Sequence, residues 1–159
     1  SWQRLMTKRQ QTSYIAVHCT ATKPSQDVGF KEIDAMHRNR GFDSCGYHFI
    51  IKRDGSIDLG RPLSDVGAHI KGFNSVSVGV ALAGGISEDG KPENNFTLEQ
   101  FTTLEQTLTV LNKIYPKAII KGHRDFSPDL DGDGVIEPHE WLKECPCFDA
   151  MKFAKEIGL

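Results

Sequence analysis

Short apolar runs of strand length alternate with helix-period stripes in the order β-α-β-β-β-α-β-α, and this alternation most narrows the folds open to the chain. Residues 14–19 form an apolar run rich in strand formers, with His18 near its end. Over residues 30–40 the positions Phe30, Ile33 and Met36 or His37 recur at helical spacing, and Gly41 is placed to cap the C-terminus. Residues 46–52 alternate as a second strand, Asp54-Gly55 signals a tight hairpin turn, and residues 56–59 make the third strand. Residues 76–83 read as a buried strand ending at Gly84-Gly85. Thr97-Leu98-Glu99-Gln100 is a capping box, Phe96 is placed to staple against Phe101, and Leu104, Leu108 and Leu111 carry a buried stripe as far as Tyr115-Pro116. Residues 118–122 are a short strand presenting His123, and residues 148–157 a terminal helix. The expected architecture is α/β, a central mixed β-sheet flanked by helices, in a single domain spanning residues 1–159.

A chain of 159 residues, 38% of them hydrophobic, buries about two thirds of its unfolded surface and needs no disulfide staples for a core. Cys19, Cys45, Cys145 and Cys147 are then free for other chemistry, which favours a reducing compartment during synthesis. Nineteen basic against 21 acidic side chains leave a formal charge of −2, which argues against a nucleic-acid partner. No apolar run approaches the ~20 residues of a membrane span. The opening segment, residues 1–9, has neither an apolar h-region nor a small-residue cleavage site, so cytoplasmic synthesis without a signal peptide is expected. A monomer is expected.

Chemistry concentrates in residues 123–147. His123 and Cys145 are of metal-ligand type, and between them residues 129–140 satisfy the pattern D-x-[DN]-x-[DN]-G-x5-E. Asp129, Asp131 and Asp133 stand at loop positions 1, 3 and 5, Gly134 at the sharp turn, the Val135 carbonyl at 7 and Glu140 at 12, which is an oxygen cage suited to Ca²⁺. Without a cation the four carboxylates repel one another; the alternative is a solvated acidic turn. Ser127-Pro128 argues against a helix entering this loop. Two histidines at the ends of separate strands, His18 and His123, with a cysteine on a later loop, match a catalytic zinc site that keeps its fourth position open. Taken alone, a strand-end histidine such as His18 is more often a hydrogen-bonded or surface residue, and a solvated turn explains His123 equally well.

Several blocks together carry more weight: His18-Cys-Thr-Ala-Thr22, residues 46–55, Val66-Gly-Ala-His69 with Asn74-Ser75 and Val78-Gly79, then Gly122-His123 and Cys145-Pro146. In this order they resemble the zinc N-acetylmuramoyl-L-alanine amidases of the bacteriophage T7 lysozyme type, which are also similar to animal peptidoglycan recognition proteins. The resemblance covers roughly residues 13–155. It implies Zn²⁺ held by His18, His123 and Cys145, with Tyr47 and Lys143 as assisting catalytic residues. It also implies peptidoglycan as partner, hydrolysis of the muramoyl–L-alanine amide at the bacterial cell wall, and a substrate groove that includes His37, His69 and Asn74. Cys147 stands where the phage enzyme has serine, and the choice between the two cysteines stays open. So do two other functions: a module of the same fold that binds peptidoglycan without cutting it, and a protein-binding regulator. The family joins its second histidine to the cysteine by a short loop, so the acidic stretch is an insertion. No Asp or Glu suggests itself as a general base.

Overall fold

The computed structural model describes residues 7–159; the first six residues, on which the signal-peptide expectation falls in part, lie outside the described residues. Eight main elements follow the expected order: β1 (Tyr14–Cys19), α1 (Phe30–Asn39), β2 (Phe49–Ile51), β3 (Ile57–Leu59), β4 (Ser77–Leu82), α2 (Leu98–Ile114), β5 (Ile119–Gly122) and α3 (Ala150–Glu156). The five strands form one sheet in the order β3-β2-β4-β1-β5. β1 runs parallel to β4 and β5, β4 runs parallel to β2, and the hairpin partner β3 is antiparallel. The sheet is thus mixed, with β1 near its centre.

Side-chain alternation along the strands divides the interior in two. Ile15 and Val17 of β1, Ile51 of β2 and Val78, Val80 and Leu82 of β4 face α2 and α3, where they meet Leu104, Leu108, Leu111, Ala150 and Ala154. Phe96, Phe101, Phe148 and Phe153 close this core with edge-to-face ring contacts such as Phe101–Phe148 at 5.2 Å. The opposite face carries Ile50, packed with Val28, Ile33 of α1, Cys45, Ala83 and Tyr47. Small residues on that face, Ala16, Gly79 and Ala81, leave room above the centre of the sheet, and His18 emerges there.

The capping box of α2 forms as written: Thr97 Oγ1 accepts from Gln100 N at 3.1 Å, and Gln100 Oε1 accepts from Thr97 N at 2.9 Å. Phe96 and Phe101 stack edge to face at 6.0 Å. Some details depart from expectation. In α1 Ile33 and His37 are the buried pair, while Phe30 and Met36 are 36% and 40% exposed. The C-cap is Arg40, and Gly41 follows it at φ +96°. β2 is shorter than residues 46–52 because the chain before Phe49 bonds to loops: Gly46 N donates to His37 Nδ1, and Ala68 N donates to Gly46 O. α3 begins only at Ala150, capped by Asp149, whose Oδ1 accepts from Lys152 N at 3.0 Å. Among the described residues no helix is long and apolar enough to cross a membrane.

Candidate metal centre

Parallel pairing brings the two histidines together. In the β1–β5 register Val17 lies opposite Gly122, so the next residues, His18 and His123, leave the carboxyl ends of neighbouring strands side by side. Open α/β sheets place ligands at this end. After Gly122 the chain turns through a short 3₁₀ helix, His123–Phe126, while the Asp125 carboxylate accepts from Gly122 N at 2.8 Å. Cys145 is then tied back to the same turn. Arg124 N donates to Cys145 O at 2.9 Å, and Pro146 rests on Gly122 so closely that a Cβ there would lie 2.8 Å from Pro146 Cδ. Cys19 N further donates to Cys145 Sγ at 3.2 Å.

His18 Nδ1 lies 3.1 Å from His123 Nδ1 and 3.9 Å from Cys145 Sγ. The three donor atoms all fall within 4.8 Å of one another. Cys147 is turned elsewhere, with its Sγ donating to Gly85 O at 3.5 Å. Burial, followed by the neighbouring charges of His69, His123 and Lys143, pushes His18 well below the ordinary imidazole value. Burial and then Lys143 lower His123 to about 4. Both rings are therefore neutral near pH 7 and have lone pairs to offer. Zn–N bonds of about 2.0–2.1 Å and a Zn–S bond of about 2.3 Å at tetrahedral angles require donors roughly 3.3–3.6 Å apart. The two separations measured from His18 Nδ1 come within a few tenths of an ångström of that, so the donor set suits zinc in chemistry and its spacing about His18 is close to what zinc requires.

These residues open into a cleft of about 730 Å³. Tyr47, Lys143, His37, His69 and Asn74 line it too. The Tyr47 ring is 5.2 Å from that of His18, and its hydroxyl donates to Cys19 O at 3.5 Å. Burial raises Tyr47 well above the ordinary phenol value, so it stays protonated. Lys143 is exposed on the rim. His37 accepts from Gly46 N through Nδ1 at 2.8 Å, which leaves its hydrogen on Nε2. Asn74 Oδ1 accepts from His69 N and Ile70 N at 2.7 and 2.8 Å. Residues that carried no sequence signal also line the cleft, among them Arg40, Phe42 and Lys71. Among the described residues that line it there is no carboxylate, whereas Arg40, Lys71 and Lys143 supply positive charge.

The acidic loop stands apart from these residues. Asp129 accepts from Gly132 N and Gly134 N, Asp131 from Asp133 N, and Asp133 from Val135 N. Glu140 is 1% exposed, and its carboxylate accepts from Leu130 N, Asp131 N and Glu137 N. Oxygens of Asp129, Asp131, Asp133 and Glu140 lie within 4.8 Å of one another. No α-helix enters the loop, and its last three residues, Pro138–Glu140, form a 3₁₀ turn. At its base Leu142 N donates to Ser127 Oγ at 3.0 Å, and the Arg124 guanidinium lies 3.8 Å above the Trp141 ring.

A family model described as N-acetylmuramoyl-L-alanine amidase matches residues 8–146. The chain is 46% identical over 149 residues to the endolysin of Enterobacteria phage K11, covering 94% of this chain and 89% of that one. It is 42% identical over 146 residues to the endolysin of Escherichia phage T7, covering 92% and 87%. Among solved structures it is similar to the endolysin N-acetylmuramoyl-L-alanine amidase LysCS from Clostridium intestinale URNW, with a TM-score of 0.76 at 25% identity, covering 100% of this chain and 91% of that one.

Proposed function

The chain belongs to the N-acetylmuramoyl-L-alanine amidase family, and from that premise we propose that its hydrolysis of the amide between N-acetylmuramic acid and L-alanine in peptidoglycan depends on zinc held by His18, His123 and Cys145. The observation that carries this reading is the convergence of His18 Nδ1, His123 Nδ1 and Cys145 Sγ at the mouth of one cleft. When bound, zinc supplies Lewis acidity toward the scissile carbonyl and toward water. Lys143 brings positive charge to the oxyanion that develops as the carbonyl becomes tetrahedral. Tyr47, kept protonated by burial, offers a phenol hydrogen for orienting water or the substrate carbonyl, and as a relay it passes its proton toward the leaving amine while taking up the proton that the attacking water gives up. A tyrosine held neutral serves better as donor than as base. His37, His69 and Asn74 lie along the walls and floor that receive glycan and stem peptide. The cationic lining suits the carboxylates of a stem peptide. In this reading a monomer acts on the bacterial cell wall.

The insertion has its own role in this reading. Ca²⁺ taken up by Asp129, Asp131, Asp133, Glu140 and the Val135 carbonyl offsets the crowding of carboxylates and orders residues 129–140. The loop runs directly into Leu142, Lys143 and Cys145, so ordering it steadies the lysine and the thiolate. The ion is structural.

The test measures metal content and cell-wall digestion products for the wild type beside His123→Ala, each with and without calcium. The expected result is one zinc per wild-type chain, release of free L-alanine amino groups, a melting temperature that rises with calcium, and loss of zinc and activity in His123→Ala. Wall digestion undiminished in a zinc-free His123→Ala protein would overturn the zinc reading. A melting temperature indifferent to calcium, with no heat in calorimetry, would overturn the loop assignment.

A further inference from the structure

We propose that His69 and Ser77 are positioning residues that hold His18 in the one tautomer able to present Nδ1 to a metal. The inference rests on the zinc reading above. Behind the metal centre four groups form a single hydrogen-bonded row. Ser77 Oγ lies 2.7 Å from the Phe73 carbonyl oxygen, His69 Nε2 lies 3.2 Å from Ser77 Oγ, and His69 Nδ1 lies 2.8 Å from His18 Nε2.

The direction of every hydrogen in this row follows from its far end. A carbonyl only accepts, so the single hydroxyl hydrogen of Ser77 points to Phe73 O. Ser77 Oγ is then an acceptor toward His69, which places the imidazole hydrogen of His69 on Nε2 and a lone pair on its Nδ1. His18 in turn donates from Nε2, and its Nδ1 is left bare. That bare nitrogen is the atom that lies 3.1 Å from His123 Nδ1 and 3.9 Å from Cys145 Sγ. One backbone carbonyl therefore sets the tautomer of an imidazole three links away. Partners of this kind orient a ligand and raise its basicity.

Packing holds the row in place. A Cβ at Gly67 or at Gly79 would lie 2.6 Å or 2.8 Å from the ring atoms of His69, so the imidazole fills a slot that both glycines leave open. Asn74 Oδ1 fixes the backbone beneath by accepting from His69 N. His48, whose ring centroid is 5.8 Å from that of His69, offers no competing partner. Its Nδ1 accepts from Gly79 N and its Nε2 donates to Asp65 O, so both nitrogens are engaged.

Two readouts on the purified protein test this: zinc affinity, by competition with a chromophoric chelator, and long-range ¹H–¹⁵N spectra of the histidine rings in the zinc-loaded state. The wild-type spectra are expected to show His18 protonated at Nε2 and metal-bound at Nδ1. His69→Phe, which keeps a ring in the slot, is expected to raise the zinc Kd about 10- to 100-fold. His69→Gln recovers part of that loss, because its amide oxygen can accept from His18 Nε2. Ser77→Ala, which frees His69 to change tautomer, weakens zinc severalfold. Metal found on His18 Nε2, or a zinc Kd for folded His69→Phe within about twofold of wild type, would overturn the proposal. If His69→Phe does not fold, the wild-type spectra and Ser77→Ala decide the matter alone. A wild-type protein that binds no zinc sinks the underlying zinc reading, whereas zinc binding indifferent to these substitutions sinks only the role of the row.

Discussion

At the scale of single residues, histidine chemistry depends on what each ring nitrogen meets. His18 and His123 turn nitrogens toward each other and toward Cys145, whereas His48 spends both of its nitrogens on backbone groups. All three stand in the family-like blocks; the resemblance singled out His18 and His123 as ligands, but composition and spacing alone did not separate them from His48. Lys143 poses a different problem. It is exposed, yet its charge reaches both His18 and His123. A lysine serving the developing oxyanion acts in the transition state more than in the ground state. Lys143→Ala should therefore lower kcat about 10²-fold while leaving zinc content unchanged. Steady-state kinetics on soluble muropeptide, with metal analysis of the same sample, checks this; a loss of zinc in the variant would instead make Lys143 part of the metal's support.

Among the elements, α2 and β4 show how local rules and tertiary demands combine. The capping box at Thr97 is a purely local feature, and it forms where the sequence places it. Gln100 then does something that no local rule announces. Its side chain is fully buried, and Nε2 donates to Ile51 O and Ala83 O at 3.1 and 2.9 Å, tying the start of α2 to the ends of β2 and β4. Gln100→Leu removes three hydrogen bonds at once, and the partners keep only part of their satisfaction. A stability loss of about 2 kcal/mol is expected, read as a lower urea midpoint with unchanged zinc affinity, since α2 lies on the face of the sheet away from the cleft. β4 carries a related lesson. Hydrophobic runs identify it as buried, but Gly79 within it serves the His69 ring that packs against it, and periodicity is silent about that.

Across the whole molecule, several imidazoles are enclosed in neutral form, and acid should find them. His48 is 1% exposed, and burial lowers it from 6.5 to about 4. Protonation would put a hydrogen on Nδ1, which faces the Gly79 N–H. The unfolded chain takes up this proton first, so the stabilisation is complete above the unfolded value of 6.5 and is lost as pH falls toward about 4. For His48 alone the loss amounts to about 3 kcal/mol. His18, His69 and His123 shift in the same direction. Urea unfolding of the metal-free protein should accordingly show a midpoint that drops steadily from about pH 7 to about pH 4; a flat profile would contradict this account.

The amino-acid sequence by itself determined the order and type of the elements, the cap of α2 and the two histidine candidates for metal ligation, with the cysteine left between Cys145 and Cys147, because periodicity, capping chemistry and family-like blocks are all properties of neighbours along the chain. It also displayed the acidic loop in full, since that motif lies within twelve consecutive residues, 129–140. Tertiary structure alone decided that Cys145 rather than Cys147 faces the histidine pair, that His69 stands behind His18 with Ser77 beyond it, and that no carboxylate lines the cleft among the described residues. The reason is physical. Which nitrogen of a ring carries its hydrogen, and which thiol turns inward, depend on partners supplied by strands that adjoin only after the sheet has assembled.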